Sequence, residues 1–352
     1  MTTTPKNPSE PVRKPPGIKD VALRAGVSWK TVSNVVNGTG RVSDATRARV
    51  EEAISELGYR PSLAGRQLRR GRTGILALAV PWVDSPYFAA LAHEVITAAA
   101  ARGHRVFIDE TRAQRQAEEI VARGYEVRLI DGIIFSPLAL TLAEADRTRG
   151  SLPMVLLGER PSAGVEIGTD HVSIDNVQAA RQTTEHVIAT GRTRIGFLGA
   201  EPEQAERSGA PRLKGYLQAL EAAGLSTPNG WVVPAKDYSR GTGAAATEEM
   251  LPRIGDIDAL VCANDELAIG AMHTLRRNGV RVPTEVAVTG WDNSKESRFS
   301  NPTLTTVAPD LRGIAEHAVA RVIAQIEGGP TSAQDLVLPH RLLIRESSSP
   351  PQ

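Results

Sequence analysis

Six side chains able to contact nucleic acid fall within seven positions near the start of the chain: Ser28, Trp29, Lys30, Thr31, Ser33 and Asn34. Lys30 can donate to O6 and N7 of guanine, and Asn34 can pair bidentately with adenine. Trp29 can pack on a thymine methyl or on a sugar edge. The hydroxyls of Ser28, Thr31 and Ser33 suit phosphate oxygens, contacts that position a protein on a duplex without specifying its sequence. The charge distribution points the same way. Residues 1–72 carry 14 Lys/Arg against 6 Asp/Glu, whereas the remainder carries 27 against 34. A basic head on an acidic body suggests that the head meets a polyanion.

Presenting those side chains together requires a helix that starts at Ser28. Ser28 is a good N-cap for a helix over 29–36, whose Val32, Val35 and Val36 share one face. A preceding helix over 18–25 is spaced by Ile18, Val21, Ala22 and Ala25, and Gly26 can make the tight turn between them. Ser43 or Asp44 caps a third helix over 45–57, which Gly58 and Pro61 end. Helix, short turn and helix make a helix-turn-helix, whose second helix enters the major groove with its N-terminal residues at the base edges. Residues 62–68 form a further short helical candidate, followed by the basic linker Arg69-Arg70-Gly71-Arg72.

Past the linker, apolar strand-length runs alternate with helical segments. The strands are expected at 75–80, 106–108, 132–135, 154–157, 173–174, 195–198, 231–233, 259–261 and 286–288. Helices are expected over 87–101, 179–189, 212–223, 244–251 and 266–277. This alternation predicts an α/β body of two doubly wound parallel-sheet halves behind an all-α helix-turn-helix head.

Composition excludes other classes. Of 352 residues, 41% are hydrophobic and 23% charged, so a large core can be buried. No apolar run approaches the ~20 residues of a membrane helix. Residues 1–17 hold five prolines and no apolar signal segment, and read as a disordered tail. The single cysteine, Cys262, ends an apolar strand and reads as buried and inert, which leaves no internal disulfide and no cysteine-based zinc site. These features predict a cytoplasmic protein without membrane, metal or cofactor. Gly241-Thr242-Gly243-Ala244-Ala245-Ala246 fits a dinucleotide fingerprint in letters but not in context, and a helix start is the better reading. No phosphate-loop, serine-nucleophile or H-E-x-x-H motif is present, so no catalytic residue and no enzymatic role are expected.

Ile18-Lys19-Asp20-Val21-Ala22, Ala25-Gly26-Val27-Ser28, Thr31-Val32-Ser33, Val36-Asn37-Gly38 and Leu57-Gly58-Tyr59-Arg60-Pro61 together resemble the lactose/galactose repressor family of bacterial transcription regulators. The likeness continues through Gly71-Arg72-Thr73 and covers roughly residues 18–346. It implies a ligand-responsive regulator, usually a repressor of carbohydrate-related genes. Its expected partners are a second copy, a pseudo-palindromic operator and a sugar-like effector. It also implies that 62–68 is a hinge helix ordered on DNA, with Leu68 wedged into the minor groove and Arg66 fitting the pattern. Gly65 departs from the usual alanine there, which predicts a hinge that is harder to order.

The body resembles periplasmic sugar-binding proteins, whose ligand sits between two halves at the C-terminal ends of the strands. The resemblance carries ligand-holding roles to Arg212, Asn264 and Asp292, with Ser208 and Tyr238 at other ligand-facing positions. Loops after strands add Trp82, Asp84, Tyr87, Phe88 and Glu159. A guanidinium, an amide and a carboxylate suit vicinal hydroxyls, and aromatics suit the apolar face of a sugar. Trp291 replaces the more usual Tyr or Phe, and Pro309 stands where a polar residue can touch ligand.

The expected organisation is a tail over 1–17, a DNA-binding domain over 18–61, a hinge and linker over 62–72, a body over 73–346 and a tail over 347–352. Within the body, one half takes 73–171 and 304–326 and the other 172–292 and 328–346, with crossings near 170–172, 292–304 and 326–328. The chain ends without leucine heptads, so a dimer rather than a tetramer is expected. Two rivals are a sugar-binding transport or sensing protein, disfavoured by the missing signal segment and the helical head, and a sugar- or nucleotide-handling enzyme, disfavoured by the absent catalytic constellation.

Overall fold

The computed structural model describes residues 16–60, 72–125, 129–159, 166–201, 209–235, 237–329 and 332–349. The hinge candidates Gly65, Arg66 and Leu68 and the ligand candidate Ser208 lie outside these residues. The chain divides into two units, Met1–Thr73 and Gly74–Gln352.

The first unit holds three helices, α1 (Ile18–Ala25), α2 (Trp29–Asn37) and α3 (Asp44–Leu57). Gly26 ends α1 at φ 64°, a left-handed conformation that costs a side-chain-bearing residue energy. Ser28 and Ser43 cap α2 and α3 by accepting from the backbone N–H of Thr31 and Thr46. Val21, Val32 and Val50, one from each helix, are fully buried and centre the small core. Burying such a side chain stabilises by roughly 1.5–3 kcal/mol. An exposed Arg24–Glu56 ion pair at 2.6 Å ties α1 to α3 and adds at most about 1 kcal/mol.

The second unit contains two six-stranded sheets. The first is built from β1 (Ile75–Val80), β2 (Arg105–Glu110), β3 (Gly132–Phe135), β4 (Met154–Leu157), β5 (Asp170–Ile174) and β11 (Asp335–Leu338), in the order β11-β5-β4-β3-β1-β2. The second comprises β6 (Ile195–Ala200), β7 (Val232–Pro234), β8 (Ala259–Cys262), β9 (Ala287–Trp291), β10 (Thr305–Pro309) and β12 (His340–Leu343), in the order β12-β10-β9-β8-β6-β7. All pairings are parallel except β12 on β10. Eight helices cover the faces among the described residues: α4 (Pro86–Ala100), α5 (Arg115–Ala122), α6 (Leu142–Thr148), α7 (Asn176–Ala189), α8 (Gly209–Ala222), α9 (Arg240–Met250), α10 (Asp265–Arg277) and α11 (Leu311–Ile326). The strands β3, β4 and β8 are buried on both sides, which explains their uninterrupted apolar runs. The Gly241–Ala246 stretch lies inside α9, as a helix start rather than a phosphate loop.

The pairings correct the expected crossings. β5 stays in the first sheet through Ile174 and the chain crosses at Asp175, not at 170–172. β10 pairs with β9 in the second sheet, so 304–309 belongs there, and the crossing falls at Asp310, which caps α11. β11 pairs with β5 in the first sheet, so 335–338 does not belong to the second half, and the third crossing is at Pro339.

Nor do residues 347–349 form a tail. Ser347 accepts from the Val288 N–H at 2.8 Å and its hydroxyl donates to the Val288 carbonyl at 2.6 Å. The Ser348 hydroxyl bonds Thr305 Oγ1 at 2.7 Å and His186 Nε2 at 2.8 Å. Both serines are buried, so these bonds satisfy groups that water cannot reach. Among the described residues no helix is long and apolar enough to cross a membrane, and no cluster of His, Cys, Asp or Glu could hold a metal ion.

Candidate DNA-contact helix and effector cavity

On α2 the first turn is open to solvent. Trp29 is 56% exposed, and Ser28 and Lys30 are exposed beside it. Ser28 Oγ caps the helix at 3.1 Å from Thr31 N and shares a 2.9 Å hydrogen bond with Thr31 Oγ1. The two hydroxyls thus prop each other at the helix N-terminus, where the N–H groups favour an anionic oxygen. Asn34 is half-buried, one turn on from Lys30. Ser33, also on α2, is more buried, at 7% exposed.

In the second unit, a cavity of about 260 Å³ opens at the C-terminal ends of the strands of both sheets. Trp82, Tyr87, Phe88 and Glu159 border it from the first half, and Arg212, Tyr238, Asn264 and Asp292 from the second. Asp84 is not among the lining residues and lies exposed on the loop after β1, because its neighbours Trp82 and Ser85 take the inward positions. The sequence reading missed Ser173, Asn176, Glu201 and Asp237, which also border the cavity. Placing the crossing three residues too early hid Asn176, since the first residue of α7 stands between the halves.

Asn176 joins the two sides. Its Nδ2 donates to both oxygens of Glu159 at 2.9 and 2.7 Å, and its Oδ1 accepts from Arg212 Nε at 3.0 Å. Arg212 also donates to the Ala263 carbonyl and lays its guanidinium 4.1 Å over the Trp291 ring. Asn264 serves first as the N-cap of α10: Oδ1 accepts from Leu267 N at 2.9 Å and Nδ2 donates to the Tyr238 carbonyl at 3.0 Å. Tyr238 donates weakly to the Gly199 carbonyl at 3.4 Å.

Asp292 differs from all of these. Its carboxylate makes no hydrogen bond or close ion pair among the described residues, and its backbone sits at φ 100°. A left-handed, side-chain-bearing residue is costly and is held only by its surroundings. Here the surroundings are explicit. Asp265, fully buried, accepts from Ser294 N at 2.7 Å and from Thr306 Oγ1 at 2.6 Å. Arg345 donates to Asn293 Oδ1 at 2.7 Å. Burial pushes the Asp292 carboxyl up to about 8, with Arg212 opposing and Asp265 and Glu266 adding. Burial likewise raises Asp265 to about 6 against its bonds to Thr306 and Ser294. The Tyr87 and Tyr238 phenols are raised by burial and then by Asp292 and Glu201 respectively, so they stay neutral. The cavity therefore presents an unpaired carboxyl, a guanidinium, amides and phenols between aromatic walls, which suits a small polyhydroxyl molecule. Cys262 is buried with its thiol raised by burial, and is no nucleophile.

Comparison with known proteins agrees with both units. Residues 17–62 match the model of bacterial regulatory proteins of the lacI family, and 184–348 match a periplasmic binding protein-like domain. The transcriptional regulator CelR of Thermobifida fusca is 34% identical over 347 residues, covering 95% of this chain and 99% of the relative. A solved CelR–cellobiose complex is 33% identical, with a TM-score of 0.68 over 94% of this chain and 99% of that one. The lac repressor dimer bound to operator and the anti-inducer ONPF is 25% identical, with a TM-score of 0.83 over 95% of this chain and 99% of that one. With a capped helix-turn-helix, a two-sheet body and full-length likeness to CelR, this DNA-binding transcription regulator belongs to the lacI family.

Proposed function

We propose that the chain is a cytoplasmic homodimeric repressor of carbohydrate-related genes whose hold on operator DNA is switched by a sugar-like effector. The observation that carries this reading is the unpaired Asp292 carboxyl in a 260 Å³ cavity walled by Trp82, Tyr87 and Phe88. Ligand hydroxyls can donate to that carboxyl while the aromatics cover an apolar sugar face. The similar CelR holds cellobiose, and the similar lac repressor is a dimer on operator DNA. Ligand acts by preferring one closure of the two halves, since only differential affinity shifts an equilibrium.

Trp29, Lys30 and Asn34 are the proposed base contacts and Ser28 and Thr31 the phosphate contacts. Leu68, in the expected hinge and linker over 62–72, is the proposed minor-groove wedge. The second copy is favoured by the edge strand β2, where Phe107 is 50% and Ile108 37% exposed. Beside it, Val83 and Ile96 line an apolar groove and are also exposed. An unpaired apolar edge in a monomer invites association, and a two-fold pair reads a palindrome.

The test is selection of duplex fragments by the purified full chain, with and without a panel of mono- and disaccharides. A preferred palindromic site with a steep salt slope, altered by one of the sugars, is expected. No preference over random duplex in any condition would overturn the reading.

A further inference from the structure

Among the described residues, four buried side-chain polar atoms make no hydrogen bond: Ser173 Oγ, Thr289 Oγ1, Trp291 Nε1 and Ser294 Oγ. Thr289 and Ser294 stand away from the cavity, whereas Ser173 and Trp291 border it, one on β5 of the first sheet and one at the end of β9 of the second. Ser173 is 3% and Trp291 2% exposed. A buried donor without a partner carries its full desolvation penalty, and folded proteins seldom tolerate one without a purpose.

Trp291 is not available as a stacking platform. Arg212 covers its ring at 4.1 Å, and Trp291 belongs to the buried core cluster that also holds Ile174, Val307 and Ile314. What it retains is the indole N–H, a donor with no acceptor capacity. A phenylalanine would fill the same floor without this group.

We propose that the Trp291 N–H and the Ser173 hydroxyl are effector contacts that select the ligand's oxygen pattern. The proposal rests on the reading of this cavity as the effector site. The indole accepts nothing, so the ligand must turn an acceptor oxygen toward it. Asp292, when ionised, donates nothing, so the ligand must turn a hydroxyl toward that. Ser173 bonds as donor or acceptor. A pyranose supplies both kinds of atom on one rigid ring: a ring or glycosidic oxygen without a hydrogen, flanked by hydroxyls. A ligand that turns no oxygen, whether hydroxyl, ring or glycosidic, toward the indole would leave it unpaired and bind more weakly.

The test uses the full-length wild type and the variants Ser173→Ala and Trp291→Phe, with cellobiose, monosaccharides and nucleosides as probes. Four tryptophans give four ¹⁵N-indole resonances, and the one missing from Trp291→Phe is that of Trp291. The sugar that binds the wild type should move this resonance. Ser173→Ala should bind the same sugar about tenfold more weakly. Without ligand, Ser173→Ala should melt no earlier than the wild type, because it deletes an unsatisfied group.

If a sugar binds while the Trp291 resonance stays still and Ser173→Ala keeps wild-type affinity, this proposal falls and the effector reading survives. If Ser173→Ala melts well below the wild type, the hydroxyl is already used inside the protein and the proposal also falls. If no probe binds the wild type, the effector reading itself fails and takes the proposal with it. Should Trp291→Phe fold poorly, the same resonance is assigned by elimination from Trp29→Phe, Trp82→Phe and Trp231→Phe, and the wild-type readout stands.

Discussion

Asp292→Asn should stabilise the ligand-free protein at alkaline pH while weakening its hold on effector. In the folded chain burial raises the carboxyl to about 8, whereas in an unfolded chain an aspartate titrates near ~3.9. Between those values the native state binds one more proton than the unfolded state, so stability falls as pH rises, by up to about 1.4 kcal/mol per pH unit. His186 and His340 are lowered by burial and act in the opposite sense, but only below about pH 6.5. Asp265, raised to about 6, is largely ionised above that point. The buried Cys262 thiol enters only toward pH 8.5 and beyond, roughly the value of a free thiol. From about pH 6.5 to 8 the Asp292 contribution therefore stands nearly alone and amounts to about 2 kcal/mol. Asparagine keeps the shape and the tolerance of a left-handed backbone, and removes the charge. Urea midpoints followed by tryptophan fluorescence should fall with pH across that window in the wild type and stay level in the variant. Parallel slopes for the two proteins would refute the assignment. Effector affinity of the wild type should rise with pH over the same range, since ligand hydroxyls bond the ionised carboxylate best.

Three further outcomes are expected. Gly65→Ala should tighten operator binding about fivefold, from the roughly 1 kcal/mol that alanine gains over glycine in a helix, read by fluorescence anisotropy on the selected site; unchanged affinity would count against a helical hinge. Phe107→Glu should shift the chain toward monomer in analytical ultracentrifugation, because it places like charges on the exposed β2 edge of both copies; an unaltered dimer would mean that the copies meet elsewhere. Cys262 should resist a thiol reagent in the native chain and react at once in denaturant; rapid native labelling would contradict its burial.

Local chemistry made the first unit legible. Ser28, Ser43, Gly26 and Gly58 act at the helix ends where their types predict. The burial of Ser33, beside Val32, is not something a hydroxyl announces in the sequence. In the second unit, strands rich in Leu, Ile and Val announced themselves, whereas β10, β11 and β12 did not. Thr305 and Thr306 are fully buried yet polar, and their hydroxyls are satisfied by the Arg345 carbonyl and Asp265. Hydrophobic periodicity cannot register burial achieved through hydrogen bonds. The same blindness turned Ser347 and Ser348 into an expected tail. Eight of the expected ligand residues border the cavity: Trp82, Tyr87, Phe88 and Glu159 follow strand ends, a rule of topology, whereas Arg212, Tyr238, Asn264 and Asp292 were legible through the family resemblance. Asn176 and Ser173 escaped because they depend on where the chain changes sheets, which only long-range pairing decides.

That exchange of segments has a practical corollary for engineering. Neither half of the body is a contiguous cassette: β11 and α11 must return from far along the sequence to finish the first sheet. A fragment ending after β5 would lack α11, leaving Val95, Ile134 and Val155 without Ala318, Val319 and Val322 of their shared core. Such a fragment should aggregate rather than fold, and chimeras that graft the ligand preference of one regulator onto another must exchange the entire body rather than one lobe.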